Sequence, residues 1–262
     1  MGRMAAYLGP RTRIADVLEG GSYSLLQQSS ECPDGFGVAW YPEDGDPTPV
    51  SLTSALPAAR AEAVLGVPRR YESECVVASL RKAAHLPAAT CGHQPLSAGP
   101  FLFTYDGELE RFEEVFMRAL RDRLSDERYQ GLRTNGVAEL LFATWQDALE
   151  DDGGPDAMAS ALEKMVGTVG DIAAAAGVGA SFAIVVTDGQ CLITLRAATQ
   201  GPPPALYTIV AGPDAPVPAT ARVVASEPLF PGAWSSLDPH SLVIFTVEPE
   251  AEQDDHPTET SV

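Results

Sequence analysis

The side chains best suited to chemistry in this sequence are thiols and imidazoles in loops. Cys32 and Cys91 lie in Gly/Pro-rich segments, and His85 and His93 are close enough in sequence to act as bases. An imidazole that takes the proton of a neighbouring thiol makes the sulfur a nucleophile. The alternative is that the thiols are reduced and partly buried and the imidazoles are hydrogen-bonded loop residues. The four cysteines form no CxxC pair and lack metal-ligand spacing, so neither a metal site nor a cofactor is predicted.

A second group of candidates follows two apolar runs. Arg81 comes directly after residues 75–80, and a guanidinium at the end of a strand is suited to bidentate binding of a carboxylate. The alternative for Arg81 is a surface ion pair. Tyr105 and Asp106 follow residues 101–104. These two side chains could form a polar pocket in which Asp106 pairs with a cationic group.

The N-terminal stretch contains a third candidate position. Residues 4–8 are apolar and run into Gly9-Pro10, a strong stop signal, so they predict a buried strand. Termini are usually loose unless they are tied into a sheet, and Gly2 is therefore expected where chemistry could happen. Gly2 has no side chain. If Met1 were removed, the α-amine of Gly2, which titrates near neutrality, could act as a base on water.

Alternating and helical apolar patterns predict the elements that position these residues. Strands are predicted over 4–8, 37–41, 50–53, 75–80, 101–104, 182–187, 191–196, 207–211, 221–225 and 242–247. Helices are predicted over 12–19, 109–124, 138–149 and 158–176, with a helical or loop segment over 60–65. Strand groups on both sides of a helical block predict one α+β domain with two packed sheets and helices outside. The domain is expected to span residues 1–247, and the acidic segment 248–262 is expected to be disordered.

The charge balance excludes two classes of partner. The chain has 17 Lys and Arg residues and 36 Asp and Glu residues, which leaves a net charge of −19. Nucleic acids and anionic membranes both require a basic surface, so neither is expected as a partner. No stretch approaches the roughly 20 apolar residues of a membrane span, and the first residues lack the layout of a signal peptide. The protein is therefore predicted to be cytoplasmic.

Six short motifs occur in one order along the chain. They are MGRMAAYLGP at 1–10, DGFGVAWY at 34–41, Ser79-Leu80-Arg81, Asp106-Gly107, TDG at 187–189, and SEPL at 226–229 followed by Trp234. This order resembles the class II glutamine amidotransferases. The most similar branch contains the amidohydrolase of ergothioneine biosynthesis, which removes glutamate from γ-glutamyl-hercynylcysteine sulfoxide. The resemblance implies the fold of the N-terminal nucleophile hydrolases, a four-layer αββα sandwich.

The resemblance also implies an active site. In that family the initiator methionine is removed, and a cysteine at position 2 attacks a γ-glutamyl amide with its own α-amine as the base. An Asn-Gly pair supplies the oxyanion hole, and an arginine holds the substrate α-carboxylate. In this sequence the arginine is Arg81, but the nucleophile position is Gly2 and the oxyanion positions are Asp106 and Gly107. An ionised Asp106 would repel a developing oxyanion.

Other positions depart from the family pattern as well. The aspartate that binds the substrate ammonium falls near Val137, which cannot pair with a cation, although Glu139 could compensate. The usual His-Pro of the loop reads Gln94-Pro95, and the asparagine expected before the Asp-Gly-Phe-Gly turn is replaced within residues 31–33. The positions expected to contact the ligand are Arg81, His85, Tyr105 and Val137.

These departures in one site predict a degenerate relative that has lost Cys-dependent γ-glutamyl amide hydrolysis. Such a protein would bind an amino-acid-like ligand or support a partner enzyme in small-molecule biosynthesis. The alternative is an active amidohydrolase or transferase with altered chemistry on a glutamyl conjugate or a related amide. A relocated Cys–His pair or the α-amine of Gly2 would then supply the catalysis.

Overall fold

The computed structural model describes residues 2–32, 34–42, 45–55, 66, 68–82, 93–150 and 153–246. The strands are β1 (Arg3–Arg13), β2 (Phe36–Trp40), β3 (Val50–Ser54), β4 (Glu72–Leu80), β5 (Leu96–Ala98), β6 (Phe101–Leu109), β7 (Ala180–Thr187), β8 (Cys191–Ala198), β9 (Tyr207–Val210), β10 (Arg222–Ala225), β11 (Ser235–Ser236) and β12 (Ser241–Thr246). The helices are α1 (Ile14–Glu19), α2 (Phe112–Arg121), α3 (Asp126–Gly131), α4 (Val137–Ala148) and α5 (Pro155–Ala176), with 3₁₀ turns at Gln27–Ser30 and Pro68–Arg70. The segments 60–65 and 248–262 lie outside the described residues.

The strands form two antiparallel sheets. In the described part of the chain, a seven-stranded sheet has the order β11-β9-β10-β1-β4-β2-β3 and a five-stranded sheet has the order β12-β8-β7-β6-β5. β1 pairs with β4 on one side and with β10 on the other, so that Ala5 lies opposite both Ala78 and Ala225. The N-terminal strand predicted from the sequence is therefore confirmed, and it lies inside the larger sheet.

The two sheets pack face to face. Alternate residues of β1 point to opposite sides, as the pleat of a strand requires. Met4, Ala6 and Leu8 contact the smaller sheet, whereas Ala5 and Tyr7 belong to the core on the other face. Both faces of β1 are therefore buried, which explains its almost continuous apolar sequence.

Helices cover the outer faces of the sheets. α2, α4 and α5 pack on the five-stranded sheet, where Phe142 of α4 stacks on Phe103 of β6 at a ring-centroid distance of 5.1 Å. On the outer face of the larger sheet, α1 buries Ile14, Val17 and Leu18. The predicted α+β class, with two packed sheets between helical layers, is confirmed.

The first strand is longer than the sequence predicts. β1 continues through Gly9-Pro10 to Arg13, because a register shift between Leu8 and Thr12 absorbs the proline. α1 consequently begins at Ile14, since Thr12 is still paired with β4. The Gly9-Pro10 pair, which would end an isolated strand, is tolerated here because β4 pairs with β1 again at Thr12 and Arg13.

Two helices also start at other residues than predicted. Leu109 pairs with Ala180 at the end of β6, so α2 begins only at Phe112. α5 begins at Pro155, because proline has no N–H to bond and its fixed φ suits the first turn of a helix. Among the described residues, no helix combines the length and the apolarity needed to cross a membrane.

Candidate functional site

Gly2 and Asp106 meet at one end of the sandwich. Gly2 stands immediately before β1 of the larger sheet, and Asp106 belongs to β6 of the smaller one. The backbone N–H of Gly2 donates a hydrogen bond to Oδ1 of Asp106 over 2.8 Å. The two positions that the resemblance assigns to a nucleophile and to an oxyanion-binding residue are thus in direct contact, although they are 104 positions apart in the chain.

Steric contacts explain the glycines at positions 2 and 107. A Cβ atom at position 2 would lie 2.6 Å from the carbonyl oxygen of Leu80 and 3.7 Å from Oδ1 of Asp106. The shorter contact is far inside van der Waals distance, and the obstructing atom is backbone of β4. At Gly107, where φ is +152°, a Cβ atom would lie 2.1 Å from the carbonyl oxygen of Ser181. A side chain at either position therefore requires a strand to shift.

A cavity of about 500 Å³ lies beside this pair. The start of β1, the strands β6 and β9, and the loops before β9 and after β10 contribute to its wall. The lining side chains that carry a charge or an aromatic ring are Arg3, Tyr23, Asp106, Tyr207 and Glu227. Cavities of about 300–1,000 Å³ are typical of small-molecule sites in proteins. The size of this cavity therefore suits a small ligand.

Arg3 is held by side chains on both sides of β1. Its guanidinium lies 2.6 Å from a carboxylate oxygen of Glu227 and 3.4 Å from one of Glu31. Its Nε donates to Oε1 of Gln28 over 3.1 Å. The positive charge on the cavity wall is therefore already paired with two carboxylates of the protein.

The SEPL motif is fixed to β1 by two hydrogen bonds. The N–H of Met4 donates to the hydroxyl of Ser226, and the N–H of Ser226 donates to the carbonyl of Met4, both over 3.0 Å. In the same loop, the carbonyl oxygen of Leu229 accepts a hydrogen bond from the N–H of Tyr23 over 3.1 Å. These contacts hold two parts of the cavity wall against the first residues of β1.

Asp106 places a carboxylate at the position where the resemblance implies a hydrogen-bond donor. Burial raises the pKa of Asp106 above its ordinary value, because a low-dielectric environment disfavours the charged form. The N–H groups of Gly2 and Gly107 and the charge of Arg3 act in the opposite direction. An oxyanion hole requires donors aimed at the developing charge, and a carboxylate oxygen can only accept.

Arg81 lies outside the lining of this cavity. Its N–H donates to the carbonyl of Gly35 over 2.9 Å, and its own carbonyl accepts from the N–H of Asp34 over 3.1 Å. A Cβ atom built at Gly35 would lie 3.6 Å from Nδ1 of His93 and 3.8 Å from Cβ of Arg81. His93 and Arg81 therefore lie beside the same glycine. Burial and then the nearby charge of Arg81 lower the pKa of His93. The structure thus groups Arg81 with His93 rather than with the cavity residues.

The predicted thiol and imidazole candidates give little support to a relocated nucleophile. Cys32 is buried, and burial raises the pKa of its thiol, which keeps the sulfur protonated and weakly nucleophilic. His85 and Cys91 lie outside the described residues. Within the described part of the chain, no group of three or more His, Cys, Asp or Glu side chains could hold a metal ion.

Two predicted ligand contacts lie away from the cavity. Tyr105 belongs to the core under the helices, where its hydroxyl donates to the carbonyl of Ser181 over 3.3 Å. Val137, the first residue of α4, packs against the same core. Glu139 accepts the N–H groups of residues 133 and 134, each over 2.6 Å, so it ties the loop before α4 to the first turn of that helix. Glu139 is therefore engaged by backbone instead of standing ready for a substrate ammonium.

Gln94 supports the strand that carries Asp106. Its side-chain amide accepts the N–H of Tyr105 over 2.5 Å and donates to the carbonyl of the same residue over 2.9 Å. Its Oε1 also accepts a hydrogen bond from the hydroxyl of Thr104 over 3.2 Å. Its backbone carbonyl accepts a hydrogen bond from the hydroxyl of Ser79 over 2.9 Å. Gln94 thus pairs with β6 as a neighbouring strand would and ties it to β4.

The sequence reasoning did not single out the cavity residues Arg3, Tyr23, Tyr207 and Glu227. Glu227 lies within the SEPL motif, which could have indicated it. Tyr207 follows the proline run 202–204, a sign that the preceding loop is rigid, but that run carries no chemical signal. These residues meet only through the sheet pairing of β1 with β10 and of β10 with β9.

Comparison with solved structures identifies the fold. No known family description and no curated protein matches the sequence. A glutamine aminotransferase class-II domain protein from Silicibacter pomeroyi superposes with a TM-score of 0.67 at 21% identity, over 94% of this chain and 100% of that chain. Glutamine phosphoribosylpyrophosphate amidotransferase from B. subtilis, complexed with ADP and GMP, superposes with a TM-score of 0.52 at 13% identity, over 86% of this chain and 42% of that chain. The fold is therefore that of the class II glutamine amidotransferases.

Proposed function

We propose that this protein is a class II glutamine amidotransferase-like domain, spanning residues 1–247, that has lost Cys-dependent γ-glutamyl amide hydrolysis. Its cavity beside Gly2 binds a small amino-acid-like ligand. The proposal retains the branch suggested by the sequence motifs, so the ligand belongs to small-molecule biosynthesis of the ergothioneine type. The domain acts in the cytoplasm by holding this ligand or by supporting a partner enzyme.

The observation that carries the proposal is the hydrogen bond from the N–H of Gly2 to the carboxylate of Asp106. Amide hydrolysis through an acyl-enzyme needs a nucleophilic side chain and donors for the oxyanion. Position 2 has no side-chain atom, and position 106 has an acceptor in place of a donor. Both requirements fail at two residues in direct contact, which accounts for loss of the reaction without loss of the fold.

Ligand binding is supported by what surrounds this pair. The cavity has the volume of a small-molecule site, and hydrogen bonds between β1 and the SEPL loop hold its wall in place. Charged and aromatic side chains line it, which is the usual composition of a binding site. A domain retained only as an inert scaffold would have no need of such a cavity.

The test is the release of glutamate from glutamine and from γ-glutamylcysteine, measured with a coupled glutamate dehydrogenase assay. We expect the wild-type protein to release glutamate no faster than buffer. The double variant Gly2→Cys/Asp106→Asn, which restores a thiol and a side-chain amide, is the positive counterpart. The mass of each intact protein shows whether Met1 has been removed.

Turnover by the wild-type protein would overturn the proposal and favour an amidohydrolase with altered chemistry. The ligand-binding part is tested separately by calorimetric titration with glutamine and with L-phenylalanine. Binding of either amino acid without turnover supports the proposal, and binding of neither contradicts the claim of an amino-acid-like ligand.

A further inference from the structure

The cavity wall carries more negatively charged side chains than positively charged ones. Arg3 contributes one positive charge, which is paired with Glu227 at 2.6 Å and with Glu31 at 3.4 Å. The remaining lining carboxylate, Asp106, is held by the backbone N–H groups of Gly2 and Gly107. Among the described residues, no cationic side chain lies within 4 Å of that carboxylate. The positive charges that act on Asp106 are those of the N-terminal amine and of Arg3, so two cations face three carboxylates around the cavity.

The remaining wall is aromatic and apolar. Tyr207 is half-buried in β9, and Tyr23 is 62% exposed at the mouth. Pro204, Ala205 and Pro228 add apolar surface. The face of an aromatic ring attracts organic cations, and apolar surface covers their methylene groups. A buried carboxylate beside such a wall is the combination that recognises an organic ammonium group.

The net negative charge of the whole chain also favours a cationic ligand. With a net charge of −19, the protein attracts small cations and repels small anions at every approach. An α-amino acid would also need a cation for its own carboxylate. Arg3 is paired within the protein, and Arg81 lies outside the cavity lining. The wall therefore suits an amine that lacks an α-carboxylate better than it suits a zwitterion.

We propose that the cavity beside Gly2 binds a small organic amine through an ion pair between its ammonium group and Asp106. This inference rests on the proposed function, and it narrows the amino-acid-like ligand to one that keeps the ammonium group and lacks the α-carboxylate. No bond is made or broken; the ammonium donates to the carboxylate of Asp106, while Tyr207 and the prolines contact the rest of the ligand.

The experiment compares four probes of similar shape by calorimetric titration: 2-phenylethylamine, 2-phenylethanol, 3-phenylpropionate and L-phenylalanine. We expect the amine to bind about tenfold or more tightly than the other three, since a hydrogen bond to a charged group contributes that much. Asp106→Asn, which retains the shape and the acceptor for Gly2, is expected to weaken amine binding about tenfold and to leave the alcohol unchanged. Asp214→Asn, the same change at an exposed position, is the matched control.

A second measurement does not depend on any variant. The amine should bind the wild-type protein more weakly as the pH falls through the raised pKa of Asp106, because protonation removes the partner of the ammonium. The groups that face this carboxylate are the N–H groups of Gly2 and Gly107, the N-terminal amine, the guanidinium of Arg3 and the thiol of Cys32. As the pH falls below neutrality the amine and the guanidinium remain charged, and the raised pKa of the thiol keeps it neutral, so none of them titrates in this range.

Three results would overturn the inference: no amine binding, equal affinity for the anion and the amine, or an unchanged affinity in a folded Asp106→Asn variant. These results are distinguishable from failure of the proposed function. Glutamate release by the wild-type protein refutes the proposed loss of hydrolysis, whether or not the amine binds. Binding of L-phenylalanine or glutamine without preference for the amine refutes only the present inference.

Discussion

Restoring the missing cysteine is expected not to restore glutaminase activity. In Gly2→Cys the new Cβ lies 2.6 Å from the carbonyl oxygen of Leu80, so β1 or β4 must move to accept it. Overpacking of this kind destabilises proteins by about 1–3 kcal/mol. The thiol of the single variant is therefore displaced from the position that an unstrained strand would give it.

The carboxylate of Asp106 imposes a second penalty. Its Oδ1 lies 3.7 Å from the position of that Cβ, so a thiolate at position 2 faces a like charge. Two unit charges about 4 Å apart repel by about 1 kcal/mol in water and about 4 kcal/mol at an effective dielectric constant near 20. Loss of an oxyanion-hole donor costs about 10²–10³ in kcat. We therefore expect Gly2→Cys/Asp106→Asn to exceed Gly2→Cys in glutamate release by about 10²-fold or more.

Gly2→Ala is the matched control, because it adds the Cβ without the thiol. It should lose about as much stability in urea unfolding as Gly2→Cys and release no glutamate. Asp106→Asn alone should also be inactive, since it restores a donor without a nucleophile. If Gly2→Cys alone hydrolysed glutamine as fast as the double variant, the roles assigned to Leu80 and Asp106 would both be wrong.

Three further predictions concern stability, each measured by urea unfolding. Gln94→Ala should lower the free energy of unfolding by about 3 kcal/mol, because three hydrogen bonds to β6 are lost; a loss under 1 kcal/mol would contradict the role of Gln94 as a strand partner. Trp145→Ala should cost about 3–5 kcal/mol, whereas Tyr129→Ala, at an exposed ring, should cost little; similar losses would refute the assigned core. Asp106→Asn should stabilise the protein at pH 7, because burial raises the pKa of the carboxyl in the folded state. This gain should shrink as the pH falls through the raised pKa and vanish well below the unfolded pKa of about 3.9, where the carboxyl is protonated in both states; a pH-independent effect would refute it.

Most of the fold could be predicted from the sequence because its strands carry strong local patterns. The run at residues 4–8 is apolar at every position, and β1 is indeed buried on both faces. The continuation through Gly9-Pro10 could not be predicted, because a bulge depends on the pairing of β1 with β4 and not on the local residues. Likewise, Leu109 has a helical spacing but is held in β6 by its partner Ala180.

The site was predictable only in part. The motifs indicated that positions 2 and 106 belong together, and the backbone N–H of Gly2 does contact Asp106. Tyr105 was grouped with Asp106, yet consecutive residues of a strand point to opposite faces, so Tyr105 lies under the helices. The wall residues Tyr207, in β9, and Glu227, in the loop after β10, lie more than 100 residues from Asp106 along the chain, and no local pattern links them to it.

Two positions show how the fold accommodates residues other than those that the resemblance implies. The burial of β1 comes from residues 4–8 on both of its faces, and position 2 contributes no side chain to either core, so a glycine there leaves the sheet intact. At position 106, aspartate and asparagine have almost the same shape, and Oδ1 of either can accept the N–H of Gly2. Aspartate replaces only the donating NH₂ group with an acceptor. That single exchange preserves the contact between the sheets and places an acceptor at the cavity wall where asparagine would offer a donor.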